Sequence, residues 1–305
     1  MAGEQRGSGS DVDPGSAVKR STVASSTPVV IRTRGHLREA LAGLPGPVGL
    51  VPTMGWLHDG HRSLMARSRA ENASTVVTLF VNPRQFGSPA DLARYPRKEA
   101  SDLQIAADEG VQLVFAPPVD EVYPPGFETT VSVGQLANVL EGAARPGHFD
   151  GVATVVAILF GLVDAERAYF GQKDAQQVRV IERMARDLAI PTRVIACPTV
   201  REPDGLALSS RNVHLDPSQR AAAPVIHRAL LEAVASFRAG ERSAEVLRDR
   251  MWELLTAEAL AEPEYVSVAS MDDLRELDRI DGPALLSMAV RFGSTRLIDN
   301  EPLGT

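Results

Sequence analysis

From Val29 to Cys197, short apolar runs alternate with stretches of helical pattern, and this alternation constrains the fold more than any other feature of the chain. Val48 to Thr53 reads as a strand, about Gly60 to Arg69 as a helix, and Ser74 to Val81 as a strand again. Val111 to Ala116, the apolar helix Gly151 to Val163, Arg167 to Phe170, a helix from about Ala175 to Leu188, and the strand Arg193 to Cys197 continue the series. Strands separated by helices pair in parallel, so residues 28–199 are expected to form a doubly wound, Rossmann-like α/β domain. Its ligand is expected at the carboxyl ends of the strands.

After Pro198 the pattern changes. A polar loop leads into two long helical stretches, about Pro217 to Ala239 and Ser243 to Ala261. Short strands follow at Glu264 to Val268, Leu285 to Arg291 and Thr295 to Ile298. Residues 200–305 are therefore expected to be a smaller α+β domain with a mixed sheet, closing over the active site. Residues 1–27 are rich in Gly and Ser, have few large apolar residues and no period, and read as a flexible tail.

Composition narrows the function classes. The 305 residues, 44% hydrophobic and 23% charged, suit a globular protein with sizeable cores. A net charge of -7 argues against general binding to nucleic acid or an anionic membrane, and leaves a small phosphate ligand in a local basic pocket open. One cysteine, Cys197, excludes an internal disulfide framework. No N-terminal segment has a signal-peptide pattern and the longest apolar run is too short for a bilayer, so a cytoplasmic location is expected.

The chemistry is expected first at His58-Asp59-Gly60-His61, between a strand and a helix. A helix N-terminus offers unpaired N–H groups and the positive end of a dipole, which suit a phosphate. Gly60 lets a ligand approach the backbone, and imidazoles can donate to phosphoryl oxygens. A third zinc ligand at a usual spacing is lacking.

Three more polar clusters follow strands or lead between domains. Asn82-Pro83-Arg84-Gln85-Phe86 is either a plain turn or a site in which the neutral Gln85 amide binds hydroxyl and carboxylate. Gly171-Gln172-Lys173-Asp174, with Gln177 one turn on, is either a capped helix start or a phosphate lysine beside a carboxylate for ribose or magnesium. Leu208-Ser209-Ser210-Arg211-Asn212 is either a linker or a donor-rich clamp for diphosphate. Glu141, Arg145 and His148 read more weakly, as residues that pin a loop.

Together these motifs resemble the pantoate-β-alanine ligase family. The resemblance runs from about Val29 to Asn300 through Val51-Pro52-Thr53-Met54-Gly55, His58-Asp59-Gly60-His61, Phe80-Val81-Asn82-Pro83, Gln85-Phe86, Tyr95-Pro96-Arg97, Arg145-Pro146-Gly147-His148-Phe149, Lys173-Asp174, Gln176-Gln177 and Leu208-Ser209-Ser210-Arg211-Asn212. It implies two half-reactions: pantoate attacks the α-phosphate of ATP and releases diphosphate, then β-alanine attacks pantoyl adenylate and releases AMP. It also implies the site residues. Met54, Gly55, Trp56, Leu57, His58, Asp59, Gly60 and His61 would bind ATP, as would Gly171, Gln172, Lys173, Asp174, Val200, Leu208, Ser209, Ser210 and Arg211. Gln85, Gln177 and Asn82 would hold the acid substrates, and His58, His61, Lys173 and Arg211 would carry the chemistry.

The family assigns His61 as a proton donor. Electrostatic assistance is the reading preferred here, because the α-phosphate needs donors more than a proton. The resemblance further implies Mg2+ with few direct protein ligands, a homodimer, and no nucleic-acid or membrane partner. Two positions depart from the family: Gln172 stands where Glu is usual and Ala175 where an aromatic is usual. Ala100-Ser101 replaces an acidic pair ahead of Asp102, which weakens any magnesium role for that segment. The alternatives are a relative that binds nucleotide without turnover, and a nucleotidyltransferase that keeps the nucleotide in its product.

Overall fold

The computed structural model describes residues 27–304. The expected tail, 1–27, lies outside the described residues apart from Thr27. Six strands form one parallel sheet: β1 (Val29–Ile31), β2 (Val48–Thr53), β3 (Ser74–Leu79), β4 (Leu113–Phe115), β5 (Arg167–Gly171) and β6 (Arg193–Cys197). Their order is β1-β4-β3-β2-β5-β6.

Consecutive residues of a strand face opposite sides, and in this sheet both sides are covered. Leu50, Val76, Leu113 and Phe115 meet the helices His148–Val163 and Ala175–Asp187 on one face. Val51, Val77, Val114 and Tyr169 meet Leu64 and Met65 of the Asp59–Glu71 helix and Ala106 of the Glu99–Asp108 helix on the other. This explains why the strands read as unbroken apolar runs.

β2 lies at the centre, with β3 on one side and β5 on the other. The chain builds β2, β3 and β4 outward in one direction, then crosses back to lay β5 and β6 on the other side. The reversal between β2 and β5 opens a crevice at the carboxyl edge, where a doubly wound sheet binds its ligand.

The C-terminal part departs from expectation in three ways. The sheet of β7 (Glu262–Ser270), β8 (Ala284–Phe292) and β9 (Thr295–Leu303) is wholly antiparallel, not mixed. Phe292 pairs with Thr295 across a two-residue turn, a connection too short for any parallel crossover. The stretch expected as one helix from Pro217 to Ala239 is two, Pro217–Ala222 and Val225–Arg238, because Pro224 supplies no N–H to continue the first. The next helix, Ala244–Thr256, stops short of Ala261, and β7 starts at Glu262. These helices bury Ile226, Leu230, Leu247 and Met251 against Leu286, Met288 and Val290 of β8. Among the described residues, no helix is long and apolar enough to cross a membrane.

Candidate active site

β2 delivers the chain into a turn of two left-handed residues, Gly55 at φ 82° and Trp56 at φ 54°. A non-glycine residue in that region is strained, so something must hold it. Asp102 does: its buried carboxylate accepts the backbone N–H of Trp56 at 3.0 Å and of Leu57 at 2.8 Å. Gly55 is required because a Cβ there would lie 2.9 Å from Asp102 Oδ2.

The turn ends at His58, which is the N-cap of the Asp59–Glu71 helix and not part of its first turn. His58 Nδ1 accepts the Gly60 N–H at 3.1 Å, and His61 Nδ1 accepts the His58 N–H at 3.3 Å. This is a capping box in which histidine takes the place of the usual glutamate. Because each Nδ1 accepts, each ring carries its proton on Nε2. Burial, reinforced by the neighbouring His58, lowers the His61 pKa to about 3. Burial and then Lys173 lower that of His58. Both rings are therefore neutral near pH 7, with Nε2–H groups available to an oxyanion.

Across the crevice, β5 ends at Gly171 and a single turn, Gln172–Asp174, opens the Ala175–Asp187 helix. Lys173 Nζ lies 3.7 Å from Asp174 Oδ1. Burial works to raise the Asp174 pKa, but Lys173, Arg211 and the histidines outweigh it and hold the carboxyl below its usual range. Its side chain makes no cap hydrogen bond, so the carboxylate is not spent on the helix it precedes. Asn300 of β9 fixes the turn by donating to the carbonyls of Gln172 at 3.0 Å and Lys173 at 2.8 Å.

The loop after β3 builds the other end. Asn82 donates to Gln85 Oε1 at 2.9 Å and to the Gly151 carbonyl at 3.0 Å, while its own Oδ1 accepts the Tyr123 hydroxyl at 2.7 Å. The Gln85 amide is thus oriented from behind, leaving its N–H donors for a ligand. Gly151 lets the His148–Val163 helix pass this loop, since a Cβ there would sit 2.3 Å from the Arg84 carbonyl oxygen.

These groups surround one cavity of about 820 Å³, a size suited to a cofactor-scale ligand. Met54, Trp56, His58, Gly60, His61, Gln85, Gly171, Lys173, Asp174, Gln177, Val200, Leu208, Ser209, Ser210 and Arg211 all line it. Gly55, Leu57, Asp59, Gln172 and Asn82 do not. Leu57 is packed in the core, and Asp59 points outward with Arg62 3.8 Å away. Gln172 turns to Asn300 Oδ1 at 3.2 Å and faces a neighbouring cavity, and Asn82 is buried behind Gln85. Ala175 is buried at the cavity wall.

Sequence reasoning gave little weight to Glu141, Arg145 and His148, yet all three line the cavity. It missed Tyr265 and Arg296, which reach it from the small sheet. Arg296 binds Glu141 through both terminal nitrogens, at 2.5 and 2.8 Å, and Glu264 at 2.6 Å, while the Tyr265 hydroxyl donates to Glu141 at 2.9 Å. Arg145-Pro146-Gly147-His148 was a visible signal; Arg296 had none, because its partner lies 155 residues away in sequence.

A doubly wound sheet with a histidine-capped helix N-terminus, a lysine and neutral amides around one cavity defines an α/β protein with a polar site suited to an anionic ligand. The chain belongs to the pantoate-beta-alanine ligase family, whose model matches residues 29–302. It is therefore a ligase. Pantothenate synthetase from Roseiflexus castenholzii is 59% identical over 271 residues, covering 89% of this chain and 98% of the relative. The crystal structure of pantothenate synthetase from Thermus thermophilus is 47% identical, covers 90% of this chain and 98% of that one, and superposes with a TM-score of 0.84. Pantoate-beta-alanine ligase from Francisella tularensis, complexed with beta-gamma ATP and beta-alanine, is 33% identical over 90% of this chain and 97% of that one, with a TM-score of 0.73.

Proposed function

We propose that this chain condenses pantoate with β-alanine at the expense of ATP, through pantoyl adenylate, releasing AMP and diphosphate. The observation that carries the reading is the polarity of the cavity, with Nε2–H imidazoles and Lys173 at one end and the oriented neutral amide of Gln85 at the other. The ligands named for the Francisella tularensis relative, ATP and β-alanine, are chemically matched to those two ends.

In the first step a pantoate carboxylate oxygen bonds to the α-phosphorus and the bond to the diphosphate oxygen breaks. His58, His61 and Lys173 donate to the phosphoryl oxygens, and Ser209, Ser210 and Arg211 receive the departing diphosphate. A neutral His61 serves as a hydrogen-bond donor and gives up no proton. Gln85 and Gln177 hold pantoate in line, and Val200 faces adenine. In the second step the β-alanine nitrogen bonds to the acyl carbon, AMP leaves with the bonding electrons, and the amine loses a proton. No protein nucleophile is needed; positioning of this kind is worth up to about 7–11 kcal/mol.

Magnesium fits the donor set in a limited way. No group of three or more His, Cys, Asp or Glu among the described residues could hold a metal alone. Asp174 is the carboxylate that would share an ion with the nucleotide phosphates, as Mg2+ prefers. Such an ion would neutralise phosphate charge. A homodimer and a cytoplasmic setting belong to the same proposal.

The alternative of a relative without turnover rested on Gln172, Ala175 and the N-terminal tail, which lies outside the described residues apart from Thr27. Gln172 is committed to Asn300 outside the cavity, and Lys173 and both histidines are in place. Incubation with ATP, Mg2+, pantoate and β-alanine, omitting each in turn, tests the reading. AMP and diphosphate release requiring both organic substrates is expected; a nucleotide-capped product without AMP would favour the nucleotidyltransferase.

A further inference from the structure

Arg296 and Lys173 each have a carboxylate partner, and Arg211 is assigned to the diphosphate. Arg145 has neither a carboxylate partner nor an assigned ligand. Among the described residues no carboxylate lies within ion-pair distance of it, although it is mostly buried in the cavity wall beside Gln85. The nearby carboxylates are engaged elsewhere, Glu141 by Arg296 and Tyr265, and Asp174 by Lys173.

The hydrogen bonds of Arg145 run only to neutral atoms. Its Nη1 donates to His148 Nε2 at 3.1 Å, and its Nη2 approaches the Gln85 carbonyl at 3.4 Å. His148 Nδ1 lies 2.9 Å from the same carbonyl and donates to it, which leaves Nε2 as the acceptor for Arg145. A guanidinium has five N–H donors in a planar fork, so most of this one remains available. An uncompensated buried charge is costly to keep, and a fork fixed from behind by neutral acceptors matches a carboxylate in front.

The charges of the proposed substrates decide which carboxylate it is. Pantoate's is consumed when it becomes the acyl phosphate. That of β-alanine keeps its charge from entry to product and needs a cation that stays. We propose that Arg145 is the receptor for the β-alanine carboxylate, an inference that rests on the ligase reading above.

The test compares β-alanine with β-alaninamide, which keeps the amine and lacks the negative charge, as acceptors in AMP formation by the natural protein and by R145M. Exchange of labelled diphosphate into ATP with pantoate alone is followed in parallel. R145M is expected to raise the KM for β-alanine about 10- to 100-fold and to lose most of the preference over the amide, with a much smaller effect on the exchange. Exchange in the natural protein with an unchanged preference in R145M would overturn the inference alone. Absence of both exchange and AMP formation in the natural protein would overturn the ligase reading and this inference with it. R145K, a point charge without the fork, serves if R145M does not fold: a raised KM for β-alanine with a retained preference is expected, and an unchanged KM overturns the assignment.

Discussion

His61 and His148 are both held neutral by their surroundings, and their pKa values carry a consequence for stability. Burial is the main cause in each, lowering His61 to about 3 and His148 to about 4 from 6.5. Between those values and 6.5 the unfolded chain binds protons that the folded chain does not. Stability is therefore full above about pH 6.5 and falls as pH drops towards 4, by up to about 1.4 kcal/mol per pH unit for each group. His148→Gln is expected to flatten this slope between about pH 6.5 and pH 4.5, as read from denaturant midpoints; equal slopes in the two proteins would contradict a neutral His148. At Lys173, replacement by Ala removes one preorganised donor and is expected to slow adenylation by about 10²- to 10³-fold. Diphosphate exchange measures it, and a near-natural rate would remove Lys173 from the chemistry.

The sequence made the residue types of this site legible but not their directions. His58, His61, Lys173 and Gln85 could be placed because each follows a strand at the edge where the sheet binds ligands. Asp59 and Gln172 stand in the same two segments and point away from the cavity. Which way a side chain leaves a turn depends on partners such as Arg62 and Asn300, and the latter is 128 residues distant.

At the scale of elements, the site depends on how closely the His148–Val163 helix passes the loop after β3. A methyl group at Gly151 would meet Arg84 O at 2.3 Å, Arg84 C at 2.5 Å and Gln85 N at 2.8 Å, all of them backbone atoms that cannot swing aside. Gly151→Ala is expected to cost about 1–3 kcal/mol of stability by overpacking. It should also raise the KM for pantoate, because the displaced segment carries Gln85. Thermal unfolding and steady-state kinetics check the two effects, and a variant normal in both would show that the loop yields freely. Strands β2 to β6 were legible because a sheet covered on both faces writes apolar runs into the sequence, as were the helices after β2 and β5 and the apolar one before β5; the Arg34–Ala42 and Glu99–Asp108 helices, with weaker apolar patterns, were not read. The C-terminal elements were less so: the break at Pro224 and the long strands β7 and β9 follow from pairing and packing that local pattern does not record.

At the scale of the whole molecule, polar contacts that include Asn300, Tyr265 and Arg296 join the two sheets around the cavity, and Leu285 of β8 packs into the core of the parallel sheet. Asn300 holds the Lys173 turn, and Arg296 ties Glu141 to Glu264. Arg296→Met would leave two partly buried carboxylates without their shared cation, at an expected cost of about 1–3 kcal/mol, discounted for partial exposure. In a double-mutant cycle with Glu141→Gln the losses should be less than additive; simple additivity would mean that the contact does not couple the two parts.

In the proposed reaction pantoate is activated as an acyl adenylate before any amine is bound. Exchange of labelled diphosphate into ATP, with Mg2+ and pantoate present and β-alanine absent, tests it most directly. Exchange that depends on pantoate and is lost in His61→Ala is expected. No exchange, in a protein that still forms AMP when β-alanine is added, would contradict the adenylate intermediate.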